Sequence, residues 1–341
     1  MFFLMKAWVV ERHGGPEVLV HKEVSDPVAA PGIVRVRPRA IGLNHLDLWV
    51  RNGVEGHRFP LPLVPGCDVA GVEEKSGARV VVHAVMSCGQ CAACRADFGP
   101  VCAQFGLIGE TRDGGAAELI AVPERNLIPL PESVSFEQAA CLPVAYVTAW
   151  SMLHRKAKLQ SGETILIHAA GSGVSVACVQ LAKMLGATVF VTASTAEKAR
   201  RVKELGADHV IETGKGPFRE GLKQVLKAMG LGRGVDVVID HVGVATFEES
   251  VKSLNWGGRL VTCGATSGSR VSIDLKLVFF KNIALLGSTM GGRQDLVDLV
   301  GFVSQGRLSP VIDSEFSLRD LPKAYARLES RQAFGKVVVQ S

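Results

Sequence analysis

An unbroken apolar run, Thr164 to His168, opens a stretch in which short hydrophobic strands alternate with helices. Val174 to Leu185 reads as a helix that is apolar almost all round and stops at Gly186. Val189 to Thr192 is the next strand, and helix Ala196 to Leu205 stops at Gly206. Strand Val235 to Asp240, a helix near Thr246 to Leu254, and strands Arg259 to Cys263 and Ile283 to Gly287 complete the series. Strands that lack polar alternation are buried on both faces, and strands joined through helices form a doubly wound parallel sheet.

The flanks differ in texture. From Lys6 to about Pro131 the chain is rich in Val, Gly and Pro, with short runs such as Ile33 to Val36, Arg79 to His83 and Ala117 to Val122 between turn residues, which predicts a mostly-β region. Ser135 with Gln138 marks a capping box at the head of an apolar helical stretch running on to Leu153. Beyond about Ser288 come one helix near Gln294 to Val303 and a terminal β run, Lys336 to Val339. The expected organisation is one mostly-β domain built from residues 1–134 and 289–341, with a parallel-sheet domain, 135–288, inserted between its pieces.

At 341 residues, with 47% apolar and 21% charged residues, the chain is long enough for about two domains of ~150 residues, and it is not a disordered, collagen-like or coiled-coil sequence. The net charge of +5 is spread along the chain without dense Lys/Arg runs, so no nucleic-acid partner is expected. The apolar start, Met1 to Met5, is interrupted by Lys6 and followed by no small-residue cleavage site, so no secretory signal is expected, and Met5 could serve as the start. No run reaches the ~18 to 20 apolar residues of a membrane span. A cytoplasmic protein with reduced thiols is the expectation.

In that setting, four of the eight cysteines, Cys88, Cys91, Cys94 and Cys102, fall within fifteen residues. Their spacing can converge four thiolates on one tetrahedral ion, as in a closed structural zinc site that leaves no position open for water. Disulfides and an iron–sulfur cluster are the alternatives. Cys178 and Cys263 read as core residues.

The turn Ala169-Ala170-Gly171-Ser172-Gly173-Val174-Ser175 follows a strand and opens a helix, the context in which backbone N–H groups cradle a pyrophosphate. The full G-x-G-x-x-G is absent, since Ala170, Ser172 and Ser175 stand where its glycines would be. The following strand ends Thr192-Ala193-Ser194 with no carboxylate for a ribose 2′-hydroxyl. Ser194 with Lys198, Arg200 and Arg201 suits a 2′-phosphate and favours NADP(H) over NAD(H). Ser194 with Glu197 is equally a capping box, and the cations can be a solvated helix face.

Several strings together resemble the medium-chain dehydrogenase/reductase superfamily, which includes zinc alcohol dehydrogenases and NADPH:quinone oxidoreductases. They are Met5-Lys6-Ala7, Gly14-Gly15-Pro16-Glu17-Val18-Leu19, Gly42-Leu43-Asn44-His45-Leu46-Asp47, Pro65-Gly66-Cys67-Asp68-Val69-Ala70-Gly71, Ala169 to Ser175, Glu204-Leu205-Gly206-Ala207-Asp208, Asp240-His241-Val242-Gly243, Gly287-Ser288-Thr289-Met290 and Phe334-Gly335-Lys336-Val337-Val338. The resemblance covers essentially the whole chain. It implies an α/β fold in which a Rossmann doubly wound parallel sheet accompanies a mostly-β, GroES-like catalytic domain with a structural zinc lobe.

The resemblance also locates the departures. The alcohol dehydrogenases' first catalytic zinc ligand is Asn44 here, their His-Glu pair is Cys67-Asp68, and their third ligand is Val144, before Tyr146-Val147-Thr148. Their proton-relay positions are Leu46 and Trp49. A replacement site from His45, Cys67, Asp68 and Cys141 is conceivable. By resemblance to the quinone-reductase branch, Asn44, Asp47 and Thr148 are the candidate catalytic residues, with Asn44 and Thr148 placed at the nicotinamide or substrate. Gly171, Ser172, Gly173 and Val174 would cradle the pyrophosphate, Lys336 would pair with it, and Gly264 and Ser288 would line the cofactor. Ser194 and Lys198 would read the 2′-phosphate, while Thr213 stands where the branch often has a phosphate-binding tyrosine.

Asn44 and Asp47 can instead cap a short helix, Tyr146 can donate a proton or simply pack, Cys67 can be a small buried residue, and His168 and His241 read as satisfied polar core. The expected activity is NADP(H)-dependent hydride transfer to a quinone, enone or other carbonyl compound, with a structural and no catalytic zinc. A zinc alcohol dehydrogenase with substituted ligands and a non-catalytic nucleotide-binding protein are the alternatives. Strand Ile283 to Leu286 is expected to pair across the twofold axis of a homodimer.

Overall fold

The computed structural model describes residues 4–213 and 217–341; the first three residues of the apolar start lie outside it. The chain forms two compact units, one of Met1–Val147 with Gly291–Ser341 and one of Thr148–Met290.

The first unit begins with β1 (Leu4–Val10), β2 (Leu19–Ser25), β3 (Ile33–Gly42), β4 (Asp68–Glu73), β5 (Arg79–Val82), β6 (Val85–Met86), β7 (Gly106–Leu107), β8 (Ile120–Pro123) and β9 (Leu127–Pro129). The second unit carries β10 (Thr164–Ile167), β11 (Thr188–Ala193), β12 (His209–Glu212), β13 (Val235–Ile239), β14 (Leu254–Thr262) and β15 (Ala284–Gly287). The chain then returns to the first unit with β16 (Ile312–Ser317) and β17 (Lys336–Gln340).

In the second unit the strands pair in parallel in the order β12-β11-β10-β13-β14-β15. Counted within the unit this is 3-2-1-4-5-6, the doubly wound order whose switch point lies beside its first strand. β10 is fully buried, as its apolar sequence requires, and Leu166, Phe190, Val238 and Leu260 pack in one core.

The first unit is mainly antiparallel. Its main sheet runs β16-β17-β3-β4-β5-β9, with β8 also on β3 and with β16 and β17 the parallel pair. Val36, Ile41, Val69, Val82 and Val337 share its core. Gly42 ends β3 where helix Phe136–Ala140 packs on the strand: a Cβ there would lie 2.1 Å from the Ala140 carbonyl oxygen.

Ser135 does cap a helix, its Oγ accepting the Gln138 N–H at 3.1 Å. The first helix is Phe136–Ala140, and after Cys141 the chain stays helical through Ala157, past the expected end at Leu153. π-helical segments at Leu142–Tyr146 and Ser151–Ala157 flank the α-helical Val147–Trp150. Pro143 has no N–H to give to a preceding turn, which breaks the regular ladder. The helix at Ser135 belongs to the first unit, so the chain changes units at Val147/Thr148, later than the change in texture.

Candidate functional site

Two polar clusters stand out, one in each unit. In the first unit, Asn44 stands two residues beyond β3 and is the N-cap of helix His45–Asn52. Its backbone N–H donates to Asp47 Oδ2 at 2.7 Å, and Asp47 Oδ1 accepts the Gly66 N–H at 3.0 Å. Asp47 is fully buried, and burial pushes its carboxyl up to about 7 despite both amide donors. It therefore shapes the loop that carries Asn44.

The Asn44 side chain faces Asp68 and Lys336. Its Nδ2 donates to the Gly42 carbonyl at 3.2 Å and to Asp68 Oδ2 at 3.0 Å, and its Oδ1 accepts from Lys336 Nζ at 2.6 Å. The same ammonium donates to Asp68 Oδ2 at 2.7 Å and to the Leu43 carbonyl at 2.7 Å. Both carboxamide protons and all three ammonium donors are occupied. Asn44 retains one lone pair on Oδ1, so toward a ligand it can accept but not donate. Lys336, expected at a pyrophosphate, is 2% exposed and is instead held by acceptors of its own unit. Asp68 Oδ1 is buried without a partner among the described residues.

Cys67 is fully buried between these groups, and burial raises its thiol well above the usual range. Cys141 Sγ donates to the Glu137 carbonyl at 3.2 Å, its thiol pushed up to about 12. The Tyr146 hydroxyl accepts the Val311 N–H at 3.0 Å from a fully buried position, so this ring braces the fold. Among the described residues, His45, Cys67, Asp68 and Cys141 do not bring their ligand atoms together; Cys88, Cys91, Cys94 and Cys102 do, all within 4.8 Å of one another. Their Sγ separations of 3.5 Å for Cys91–Cys94 and 3.8 Å for Cys88–Cys94 match the edge of ~3.8 Å of a tetrahedron with ~2.3 Å Zn–S bonds. The four thiols fit a zinc ion.

In the second unit the turn after β10 leads into helix Gly173–Met184. Ser172 is the N-cap, its Oγ accepting the Ser175 N–H at 3.0 Å. The Gly173 and Val174 amides lie in the first turn, where helix geometry offers no carbonyl acceptor. Gly171 has φ 102°, a left-handed value suited to glycine. His241 Nε2 lies 2.8 Å from Ser175 Oγ and 3.3 Å from Ser172 Oγ, so His241 flanks this cap. Ser288 follows β15, is 7% exposed and has no partner for Oγ among the described residues. The uncapped amides, the glycine turn and this orphaned hydroxyl fit a phosphate-bearing nucleotide.

The helix after β11 is capped by Thr195, whose Oγ1 accepts the Lys198 N–H at 3.2 Å. The expected Ser194 cap is thus displaced by one residue, because the helix begins at Ala196. Ser194 is exposed, and Lys198 half-buried. Thr213 Oγ1 donates to the Ala193 carbonyl at 3.3 Å, next to Ser194. Gly264 follows β14, with the His241 carbonyl oxygen 3.6 Å from where a Cβ would stand. Thr148 is buried beside Met290, its Oγ1 3.8 Å from the sulfur.

A six-stranded parallel sheet with a phosphate-type turn and a mostly-β unit with a four-thiol cluster define the class of nicotinamide-dependent oxidoreductases that carry zinc. The family descriptions agree: residues 30–132 match the alcohol dehydrogenase GroES-like domain and 173–305 the zinc-binding dehydrogenase domain. The chain is 31% identical to quinone oxidoreductase of Pseudomonas aeruginosa over 339 residues, covering 96% of this chain and 97% of that one. It is 33% identical to acryloyl-coenzyme A reductase of Metallosphaera sedula, over 98% and 99% of the two chains. The crystal structure of an NAD-dependent alcohol dehydrogenase superposes with a TM-score of 0.93 at 40% identity, over 99% of this chain and all of that one. The chain belongs to the medium-chain dehydrogenase/reductase superfamily and is an oxidoreductase.

Among the described residues no helix is long and apolar enough to cross a membrane.

Proposed function

We propose that the protein is an NADP(H)-dependent reductase that delivers hydride to a quinone, an enone or another electron-poor carbonyl compound, with one structural zinc and no catalytic zinc. The observation that carries this reading is the buried ammonium of Lys336, bonded to Asn44 and Asp68. By family resemblance those two positions supply metal ligands in alcohol dehydrogenases; here their polar atoms are engaged with a side-chain cation. The relatives named quinone oxidoreductase and acryloyl-coenzyme A reductase point to acceptors of this kind.

The nicotinamide, when bound, supplies the hydride. The chain's own work is binding, orientation and exclusion of water. Gly171, Ser172, Gly173 and Val174 take the pyrophosphate at the helix N-terminus, and the Ser288 hydroxyl and Gly264, which follow β15 and β14, line the cofactor at the same carboxyl edge of the parallel sheet. Asn44 Oδ1 accepts from a hydroxyl or amide of the cofactor, and the Thr148 hydroxyl donates. Ser194 and Lys198 read a 2′-phosphate, a reading favoured by Thr195 taking over the helix cap and leaving the Ser194 hydroxyl outside it. Cys88, Cys91, Cys94 and Cys102 hold the zinc that orders their lobe.

The protein is read as a homodimer through β15, which lies at the sheet edge and follows a helix exposing Leu275, Phe279 and Phe280. Light scattering tests the dimer. The reaction is tested by NADPH oxidation against quinones, enones and enoyl thioesters, with zinc content measured on the same preparation. About one zinc per chain with NADPH-dependent turnover is expected. Two tightly held zinc ions per chain and activity abolished by chelation would sink the reading. Alcohol oxidation as the dominant activity would establish the alcohol dehydrogenase alternative, which the 40% identity to an enzyme of that name favours. Dinucleotide binding without turnover across the panel would establish a non-catalytic role.

A further inference from the structure

Beneath the phosphate-type turn runs a chain of buried side chains whose hydrogen bonds can point only one way. Asp240 is fully buried, and its Oδ1 accepts the N–H groups of Val242 at 2.9 Å and Gly243 at 3.1 Å. The Ser250 hydroxyl donates to Oδ2 at 2.8 Å, as does the Thr246 hydroxyl at 2.8 Å. Ser250 Oγ is then the acceptor for His168 Nε2 at 2.8 Å, which places the ring proton on Nε2. Nδ1 is left with a lone pair, and the Thr192 hydroxyl at 3.1 Å donates to it. Thr192 Oγ1 in turn accepts the backbone N–H of Ala169 at 3.0 Å.

Ala169 is the first residue of the turn and has φ 59°, a left-handed conformation that alanine rarely adopts. It is clamped on both sides. The Thr192 carbonyl accepts the Ala170 N–H at 2.8 Å, and Ser175 Oγ donates to the His168 carbonyl at 2.6 Å. Strained backbone of this sort persists where surrounding contacts over-determine it, and such places cluster at ligand sites.

We propose that Thr192, His168 and Ser250 are positioning residues for the dinucleotide pyrophosphate, holding Ala169 in its left-handed conformation so that the amides of Gly171, Gly173 and Val174 aim at the phosphates, while the Ser172 amide closes the turn on the Ala169 carbonyl at 3.2 Å. The inference rests on the reading of this turn as the cofactor site. Burial supports it independently, because it holds the His168 imidazole at about 4, so that at neutral pH the ring keeps the bare Nδ1 that Thr192 requires.

The test combines histidine 15N NMR of the wild-type protein with fluorescence titration of NADPH and NADH into wild type, Thr192→Ser, Thr192→Val and Ser250→Ala, each checked by thermal melting. His168 is expected as the Nε2–H tautomer. Thr192→Ser, which keeps the hydroxyl, should bind within about twofold of wild type; Thr192→Val should weaken dinucleotide binding about fivefold and Ser250→Ala about threefold. Adenosine, which has no phosphate, should bind all four proteins alike. The Nδ1–H tautomer, equal dinucleotide affinity of the Ser and Val variants, or a parallel loss of adenosine binding would each overturn the inference. If Thr192→Val does not fold, Ser250→Ala and the tautomer decide. A wild type that binds neither dinucleotide overturns the cofactor reading and this inference together; normal binding by every variant overturns this inference alone.

Discussion

Lys336 Nζ lies 2.7 Å from Asp68 Oδ2, with the two side chains 2% and 0% exposed. The pair joins the last strand to the centre of the first unit's sheet. Removing one member of a buried ion pair leaves the other charge uncompensated, at about 3–5 kcal/mol. Lys336→Met should therefore lower unfolding free energy by about that amount in urea denaturation. The double variant Lys336→Met with Asp68→Leu should recover part of it, since no lone charge remains.

Asp47 gives a pH signature. Its carboxyl stands at about 7 in the folded protein against an ordinary value near ~4, so over that interval the unfolded chain releases a proton that the folded one keeps. Stability from this group falls as pH rises from about 4 to about 7, by up to about 4 kcal/mol at ~1.4 kcal/mol per unit. The buried rings of His83 and His168, both held at about 4, act oppositely, gaining stability as pH rises from about 4 toward ~6.5. Denaturation at pH 5 and pH 8 should show wild type losing more stability, or gaining less, than Asp47→Asn. Identical pH dependence in the two proteins would contradict the assignment.

The four-thiol cluster should bind one zinc per chain. Cys91→Ser should lose the metal, as measured by elemental analysis, and open the segment 88–102 to limited proteolysis. NADPH affinity should stay within about twofold of wild type, because the phosphate turn belongs to a separately packed unit.

Lys198→Ala together with Ser194→Ala should weaken NADPH binding by about tenfold, from the loss of a charge-assisted bond and a neutral one, and leave NADH nearly unchanged. Equal effects on the two dinucleotides would mean that these residues do not read the 2′-phosphate.

The parallel sheet was legible in the sequence because buried strands such as Thr164 to Ile167 carry no polar interruption and alternate with helices that stop at Gly186 and Gly206. The four cysteines were legible because their spacing can converge four sulfurs on one ion, and the fold brings them within 4.8 Å of one another. Strand His209–Glu212 and helix Phe218–Ala228 were missed, although Phe218, Leu222 and Leu226 mark a clear buried stripe at helical spacing. Helices Leu275–Phe280 and Leu321–Glu329 went unread as well; the first buries none of its residues and so lacks a core-facing pattern.

The role of Lys336 was hidden for a different reason. Its partners Asn44 and Asp68 lie 292 and 268 residues away in the chain, a pairing created by β17 crossing onto β3 that no local pattern encodes. The displaced cap at Thr195 reflects a choice between adjacent hydroxyls that a capping pattern cannot separate. The chain through Ser250 escaped notice because His168 and His241 are individually ordinary buried histidines whose meaning lies in the direction of their bonds.

The interrupted first unit sets an order of manufacture. A nascent chain that has reached residue 290 contains every strand of the second unit, yet lacks the strand bearing Lys336. Domains tend to fold as units during synthesis. The body that begins second along the chain is therefore the first that can be completed, and a dinucleotide in the surrounding solution could bind and stabilise it before the other is closed.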